Sequence, residues 1–328
     1  MLFLNAAEVN QALPMDALIL SMKDAFAALS AGQAHLPLRT QVPVEEHNAV
    51  SLFMPAYLKA PDLKTLSLKA VSVFPDNPTQ GLPTIHAAVL VIDQKTGQMR
   101  ALLEGGRLTA LRTGAASGAA TDVLAPAECA VGAIFGAGTQ ARTQLLAICT
   151  ARNLERVWIY DPDRKQVNKM IQEMRGRGPV PGDLRAADST QQAVSSADVI
   201  CTATTSNTPV FSDQDLKPGV HINGIGSYTP EMIEVPPETA QRALVVVGSR
   251  EGALAEAGEI LQAIDRGLLA RDDLIELGDI LNQENTGRSN PEQITFFKSV
   301  GVAVQDAAAA QLALKNANKL GLGQELLW

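Results

Sequence analysis

Residues 129–148 read CAVGAIFGAGTQARTQLLAI, and this stretch decides the fold. An apolar run of strand character leads into Gly136, Gly138 and Ala141, spaced as G-x-G-x-x-A, and a helical pattern follows. Small residues at these positions permit a tight turn, close approach of a pyrophosphate to the backbone, and packing of helix on strand. The stretch predicts a dinucleotide-binding unit with the phosphates at the helix N-terminus, although ordinary glycine-rich turns share the spacing.

The next predicted strand, RVWIYD, ends in Asp161. An acidic residue about 20 positions after the glycine turn accepts hydrogen bonds from the adenosine ribose, which supports the dinucleotide interpretation. A carboxylate there repels a 2′-phosphate and favours NAD(H). Arg164 lies close enough in sequence to offset this repulsion, so NADP(H) stays an alternative.

Strands and helices alternate through the region that follows. Short apolar runs are ADVICTAT, VHINGIG and ALVVVGS, and helix-like stretches are TQARTQLLAICTARN and RKQVNKMIQEMRG. This alternation predicts a parallel, doubly wound Rossmann sheet, hence an α/β fold. Thr202, Ala203 and Thr204 fall at the carboxyl end of one strand, where ligands usually bind, although a neutral strand end fits them equally well.

The N-terminal third has a different pattern. Residues 5–31 read as a helix with Asn5 as N-cap, and residues 36–104 as short β-like runs, the last two joined as a hairpin at DQKTG. Residues 107–125 are helical in pattern, as is the tail from about residue 297. We therefore expect a smaller α+β domain closely joined to the Rossmann domain.

Composition excludes several classes of protein. The formal net charge of −8 argues against nucleic-acid binding, and no apolar run is long enough to span a membrane. Three cysteines without CxxC spacing and four histidines without a diagnostic context indicate no metal site and no disulfide framework. The histidines are interpreted as structural or peripheral. A cytoplasmic globular protein is expected.

Three basic residues stand alone in apolar surroundings: Arg39, Lys69 and Arg112. One such residue can simply extend its charged end to solvent. Three of them upstream of a nucleotide domain favour a pocket for a carboxylate, because arginine grips a carboxylate with two parallel hydrogen bonds. This pattern favours a dehydrogenase or reductase of a small acid, without indicating which acid.

Together these motifs resemble the ornithine cyclodeaminase/mu-crystallin family over essentially the whole chain. The stretches that carry the resemblance are PLRT (37–40), SLFMPAYL (51–58), LKAVSVFPDNPTQGLPT (68–84), ALLEGGRLTALRTGAASGAAT (101–121), FGAGTQAR (135–142), INGIGSYTPEMIEV (222–235) and FKSVGVAVQD (297–306). The resemblance implies a homodimer. It also implies a substrate-binding and dimerisation domain of residues 1–118 plus 302–328 around a Rossmann NAD(P)-binding domain of residues 119–301.

The resemblance also assigns site residues. Lys69 and Arg112, helped by Arg39, would hold the substrate carboxylate, and Met54 belongs to the same substrate site. Tyr228 would lie beside the reacting group, so that Lys69, Arg112 and Tyr228 form the catalytic set. The residues expected to contact the cofactor are Thr84, Arg112, Thr113, Gly136, Ala137, Gly138, Thr139, Gln140, Asp161, Arg164, Thr202, Ala203, Thr204, Ile225, Gly226 and Ser299.

Two departures from the family pattern decide among its activities. Where ornithine cyclodeaminases carry an aspartate, this chain has Tyr228, and where they carry a glutamate, it has Leu52. The resemblance therefore implies NAD(P)H-dependent reduction of an α-imino acid, first Δ1-pyrroline-2-carboxylate or its six-membered homologue, to L-proline or L-pipecolate. The alternatives are an ornithine cyclodeaminase, an alanine dehydrogenase, an iminosuccinate reductase, and a crystallin-like ligand-binding protein.

Overall fold

The computed structural model describes residues 1–37 and 39–327. The chain divides into two compact units. Unit 1 is Met1–Arg112 with Ala303–Trp328, and unit 2 is Thr113–Val302. The boundary after Arg112 falls inside a helix, and the boundary expected at residue 118 lies further along the same helix.

Unit 1 takes its elements from both ends of the chain. The elements of its N-terminal part are, in chain order, β1 (Leu2–Leu4), α1 (Ala6–Ala12), α2 (Met15–Ser30), β2 (Ala34–His35), β3 (Thr40–Val44), β4 (Ala49–Ala60), β5 (Leu63–Val73), β6 (Ile85–Ile92) and β7 (Met99–Glu104). Helix α3 (Gly105–Leu124) begins in unit 1 and continues into unit 2. The later part is α11 (Ala303–Leu320) and β16 (Gln324–Glu325).

The sheet of unit 1 is mixed, in the order β16-β1-β7-β6-β5-β4-β2, with β3 also paired to β4. The β1–β7 pair is parallel and the other pairs are antiparallel. Along β5 burial alternates, so that Thr65, Ser67, Lys69 and Val71 share the buried face. Helix α11 packs on β4, β5 and β6, because its run of buried alanines permits close approach to the sheet.

Unit 2 is continuous in sequence. Its elements are β8 (Val131–Phe135), α4 (Thr139–Ala151), β9 (Arg156–Tyr160), α5 (Arg164–Met174), β10 (Asp183–Ala186), α6 (Thr190–Val194), β11 (Val199–Thr202), β12 (His221–Gly224), α7 (Pro237–Arg242), β13 (Leu244–Val247), α8 (Arg250–Glu256), α9 (Gly258–Asp265), β14 (Ile275–Glu276), α10 (Leu277–Leu281) and β15 (Thr295–Lys298).

The sheet of unit 2 is parallel, in the order β10-β9-β8-β11-β12-β15-β13-β14. Its central strands are buried on both faces, as the continuous apolar run of β8 requires. From β8 the chain moves outward to β10 and then crosses back to β11 on the other side of β8. The strand order therefore reverses at the turn after β8, which is where ligands bind in open α/β sheets.

The α/β class, the Rossmann sheet and the smaller α+β unit agree with the expectation from sequence. The hairpin at DQKTG is confirmed as β6 and β7. Two details of the sequence interpretation were wrong. Residues 5–31 form α1 and α2 rather than one helix, because Pro14 separates them. Residues 295–298 form the buried strand β15, and the terminal helix begins only at Ala303. No helix in the described part of the chain is long and apolar enough to cross a membrane.

Candidate active site

The turn after β8 has the geometry that its glycines predict. Gly136 has a backbone φ of 97°, which residues with a side chain rarely adopt. Its N–H donates to the carbonyl of Tyr160 at 2.9 Å. A Cβ atom at Gly136 would lie 2.6 Å from the carbonyl oxygen of Ala203. The backbone of this turn therefore packs directly against the end of β11, and no larger residue fits.

Gly138 is the N-cap of α4 and offers no side chain to the free N–H groups of the first helical turn. A Cβ atom built on Gly138 would meet no atom within 4 Å, so the residue borders open space. Thr139 and Gln140 begin the helix beside that space. Unpaired N–H groups at a helix N-terminus next to open space suit a pyrophosphate, and these residues therefore fit a dinucleotide.

A cavity of about 640 Å³ lies at this end of the sheet. The residues that line it come from the glycine turn, the end of β9, the start of α6 and the segment after β11, and they are Phe135, Gly136, Ala137, Gly138, Tyr160, Asp161, Pro162, Thr190, Ala203, Thr204, Thr205, Ser206, Thr208, Pro209 and Val210. The fold thus brings together the glycine turn, Asp161, Ala203 and Thr204 around one cavity, and their contact with a cofactor stays a prediction.

Asp161 is positioned by backbone donors. Its Oδ2 accepts from Ala137 N–H at 2.9 Å and its Oδ1 from Asp163 N–H at 2.8 Å. Arg164 is directed elsewhere: its guanidinium donates to the carbonyl of Ala187 at 2.7 Å and to Asp188 at 3.0 Å. The carboxylate of Asp161 therefore lines the cavity. Arg164, which was expected to offset the repulsion between that carboxylate and a 2′-phosphate, binds Ala187 and Asp188 instead.

Further candidate residues lie at the ends of adjacent strands in unit 2. The N–H of Ile225 donates to the carbonyl of Thr202 at 3.0 Å, and that of Ser299 to the carbonyl of Gly224 at 3.3 Å. Gly226 and Tyr228 follow β12 in a loop, where Tyr228 is 45% exposed. Thr113 belongs to unit 2 and Thr84 to unit 1, and their contact with a cofactor stays a prediction.

Unit 1 holds a buried cluster of charges. Lys69 Nζ lies 2.6 Å from Asp306 Oδ2, and Arg112 Nε lies 3.0 Å from Asp306 Oδ1. Arg112 Nη1 also donates to Gln305 Oε1 at 2.8 Å. Met54 is the partner of Lys69 across the β4–β5 pair. Two of the three cations singled out in the sequence are therefore bound to one carboxylate of α11.

Electrostatics tie the third cation to the same cluster. Burial lowers the pKa of Lys69 to about 8; Asp306 opposes the shift, while Arg112 and Arg39 add to it. Burial and the charge of Arg112 lower the pKa of Arg39. Burial works against ionisation of Asp306, yet Arg112 and Lys69 hold its pKa below the ordinary value. Lys69 and Arg112 are thus bound to Asp306, and the charge of Arg39 acts on both of these cations.

The described residues contain no group of side chains that could hold a metal ion. His221 is fully buried at the start of β12, and burial lowers its pKa to about 3. Its Nδ1 lies 2.9 Å from Thr295 Oγ1 and its Nε2 lies 3.2 Å from Asn223 Oδ1. These contacts fit the structural role expected for it.

Two acidic residues of these sites stand in no pattern that singles them out in the sequence. Asp306 lies on an alanine-rich helix, and Glu234 lies at the end of the loop that contains Tyr228. Both are fully buried. A single acid on a helix normally faces solvent, so only the folded contacts identify Asp306 as the partner of Lys69 and Arg112.

The family model for the ornithine cyclodeaminase/mu-crystallin family matches residues 1–320. The chain belongs to this family. A curated relative from a strain of Bacillus cereus, named Δ1-pyrroline-2-carboxylate reductase, is 37% identical over 328 residues, covering 99% of each chain.

Two solved structures are similar to the present chain over nearly its whole length. One is the Δ1-pyrroline-2-carboxylate reductase of Thermococcus litoralis in complex with NADH and L-proline, with a TM-score of 0.94, 38% identity, and 99% and 100% coverage of this chain and that one. The other is an archaeal alanine dehydrogenase dimer with bound NAD, with a TM-score of 0.91, 31% identity, and 100% and 99% coverage.

Proposed function

We propose that this protein is an NADH-dependent reductase of cyclic α-imino acids, converting Δ1-pyrroline-2-carboxylate or its six-membered homologue to L-proline or L-pipecolate. The observation that carries the proposal is the buried cluster of Lys69, Arg112 and Asp306. Two cations share one carboxylate there, so positive charge remains for the carboxylate of a substrate. The names of the B. cereus and T. litoralis relatives support this substrate class.

The proposed reaction balances as imine, NADH and one proton giving amine and NAD⁺. Bound NADH supplies the hydride for the imine carbon. A protonated cyclic imine accepts hydride readily, so the chain needs to orient the substrate, balance its carboxylate and exclude water. Lys69 and Arg112 balance the charge of the substrate carboxylate. Because Asp306 holds both side chains in place, they also orient the substrate.

The acids that a diamine substrate requires are missing. Tyr228 and Leu52 occupy the positions at which the cyclodeaminases of the family carry acidic residues. Deamination needs a group that activates water and one that holds the distal ammonium, and neither side chain supplies a carboxylate. Reduction of an imine needs neither, so these two residues favour reduction over cyclodeamination.

A second candidate substrate is the dicarboxylic imine iminosuccinate. The observation that favours it is a third cation, Arg39, whose charge acts on Lys69 and lowers its pKa. Arg112 in turn lowers the pKa of Arg39, so the three basic groups lie within electrostatic reach of one another. A second substrate carboxylate would find a cation in this region as well.

A substrate panel tests the proposal. NADH oxidation is followed with Δ1-pyrroline-2-carboxylate, its six-membered homologue, iminosuccinate, and pyruvate plus ammonia, and ornithine is assayed for ammonia release. We expect the highest kcat/KM with a cyclic imine and no ammonia from ornithine. Ammonia release from ornithine with inert cyclic imines would contradict the proposal, and a complete lack of hydride transfer would favour a ligand-binding protein.

Asp161 predicts the choice of cofactor. Its carboxylate is held at the cavity by Ala137, and Arg164 is bound by Ala187 and Asp188, so a 2′-phosphate would meet a negative charge there. We expect NADH to bind more tightly than NADPH, and Asp161→Ser to narrow the difference about tenfold or more, since a good charge-assisted contact contributes about 1.5–3 kcal/mol. Fluorescence titration with both cofactors measures this. Asp163→Ser serves as the control, and an unchanged preference in Asp161→Ser would contradict the role.

We propose a homodimer as the working assembly. The outward face of the unit 1 sheet carries half-buried apolar side chains across neighbouring strands: Tyr57, Leu66, Leu68, Leu90 and Leu102. An apolar face of this kind is typical of a surface that pairs with a second copy. The similar archaeal alanine dehydrogenase is a dimer, which supports the proposal.

A further inference from the structure

Residues 226–234 are here named the GSYTP loop. The side chain of the last residue, Glu234, binds the backbone at the beginning of the loop. The Oε2 atom of Glu234 accepts from Gly226 N–H at 2.6 Å and from Ser227 N–H at 3.1 Å, at the beginning of the loop. A Cβ atom at Gly226 would lie 2.1 Å from the carbonyl oxygen of Thr204 and 2.6 Å from Glu234 Oε1. The start of the loop is therefore pressed between the glutamate and the end of β11.

The same carboxylate also holds the segment after β11. Its Oε1 accepts from Thr204 N–H at 2.6 Å, and its Oε2 accepts from Thr202 Oγ1 at 2.9 Å. The backbone of the loop adds two bonds, from Val210 N–H to the carbonyl of Glu234 and from Ile233 N–H to the carbonyl of Ser206, both 2.9 Å. These contacts fix residues 203–210 at the start, the middle and the end.

The segment 203–210 forms one wall of the dinucleotide cavity, which all of its residues except Asn207 line. The wall also touches the glycine turn, because the carbonyl of Ala203 lies against Gly136. A displacement of Thr204 would therefore change the shape of the cavity on two sides. Glu234, which does not line the cavity, is connected to it through the backbone that it binds.

The contacts of Glu234 suit an ionised carboxylate. Burial raises the pKa of Glu234, and the charge of Lys298 and the N–H of Thr204 oppose that rise. Every group that hydrogen-bonds to the two oxygens of Glu234 is a donor: three backbone N–H groups and one hydroxyl. An ionised carboxylate only accepts, whereas an amide would turn an NH₂ group toward at least one N–H. Lys298 contributes its charge to this region, but its hydrogen bonds go to Ser227 and Glu259.

We propose that Glu234 is a positioning residue for the dinucleotide site: it fixes the backbone of Thr204 and Gly226 and so sets the shape of the cavity wall formed by residues 203–210. The inference rests on the proposed function only in taking this cavity as the NADH site.

The test compares Glu234→Gln with Glu231→Gln, a matched change at an exposed glutamate of the same loop. NADH affinity is measured by fluorescence titration, and amide hydrogen exchange is followed residue by residue in the absence of NADH. We expect Glu234→Gln to weaken NADH binding about 10- to 100-fold, as for a lost bond to a charged group. Exchange should accelerate at Thr204, Gly226 and Ser227, and Glu231→Gln should change neither quantity.

A general loss of stability would look different. If exchange accelerates equally in β8 and β9, or if NADH affinity is unchanged in Glu234→Gln, the positioning role is wrong. Glu234→Asp keeps the charge on a shorter side chain and should give an NADH affinity between those of the wild type and Glu234→Gln. If Glu234→Gln does not fold, the NADH affinity of Glu234→Asp tests the positioning role instead. A wild-type protein that binds no NADH would contradict the proposed function, while the exchange at Thr204 and Gly226 would still decide the role of Glu234.

Discussion

Lys69→Met is expected to lower kcat/KM for the imino acid about 100-fold or more while leaving the Kd for NADH unchanged. Methionine keeps most of the volume of the side chain but removes the charge that would bind the substrate carboxylate. A hydrogen bond to a charged group is worth about 1.5–3 kcal/mol, and the loss of substrate orientation adds to this in the rate. Steady-state kinetics with the imino acid and fluorescence titration with NADH measure the two quantities.

Lys64→Met is the matched control, because Lys64 lies on the same strand, β5, and is exposed. It should leave both quantities as they are in the wild type. A Lys69→Met protein that loses NADH binding as well as activity would show that Lys69 supports the structure, and the proposed role in carboxylate binding would then be wrong.

Asp306→Asn is expected to move the pH dependence of the reaction to lower pH. In the wild type, burial lowers the pKa of Lys69 to about 8, and Asp306 is the group that opposes this shift. Only protonated Lys69 attracts a carboxylate, so kcat/KM should fall as the pH rises through about 8. Without the charge of Asp306, that opposition is lost, the pKa of Lys69 falls further, and the loss of activity begins at a lower pH.

The measurement is the ratio of kcat/KM in Asp306→Asn to that in the wild type, at saturating NADH, between about pH 6 and pH 9. Titration of the substrate imine is common to both proteins and cancels in this ratio. We expect the ratio to rise as the pH falls, by up to tenfold for each unit of pKa shift. A ratio that is low and constant at every pH would indicate a structural defect and would contradict the electrostatic role.

The features that local sequence predicts well are those with a local physical cause. The glycine turn, the parallel strands of unit 2 and the β6–β7 hairpin follow from backbone requirements and from alternating or continuous apolar runs. Pro14 could have been recognised as the break between α1 and α2. The buried strand β15 was assigned to the following helix because a short apolar run does not distinguish a strand from a helix.

The partners of the charged residues could not be predicted in the same way. Lys69 and Asp306 are separated by 237 residues in the sequence, yet they form a buried ion pair. Glu234 lies near Gly226 in sequence, but its contact with Thr204 depends on the pairing of β11 with β12. A lone basic residue in an apolar strand either extends its charged end to solvent or is buried with a counter-ion, and the tertiary fold decides which and supplies the counter-ion.

The two-part construction of unit 1 has a consequence for the order in which the protein is made. A nascent chain that has reached residue 302 contains all of unit 2, which is continuous in sequence. Strands β4 to β6 have been made by then, but the helix that covers them, α11, has not. Until Asp306 emerges, Lys69 and Arg112 lack the carboxylate that pairs with them in the folded protein. The cationic cluster and the helix face that covers β4 to β6 therefore both depend on a segment that is synthesised after the whole of unit 2.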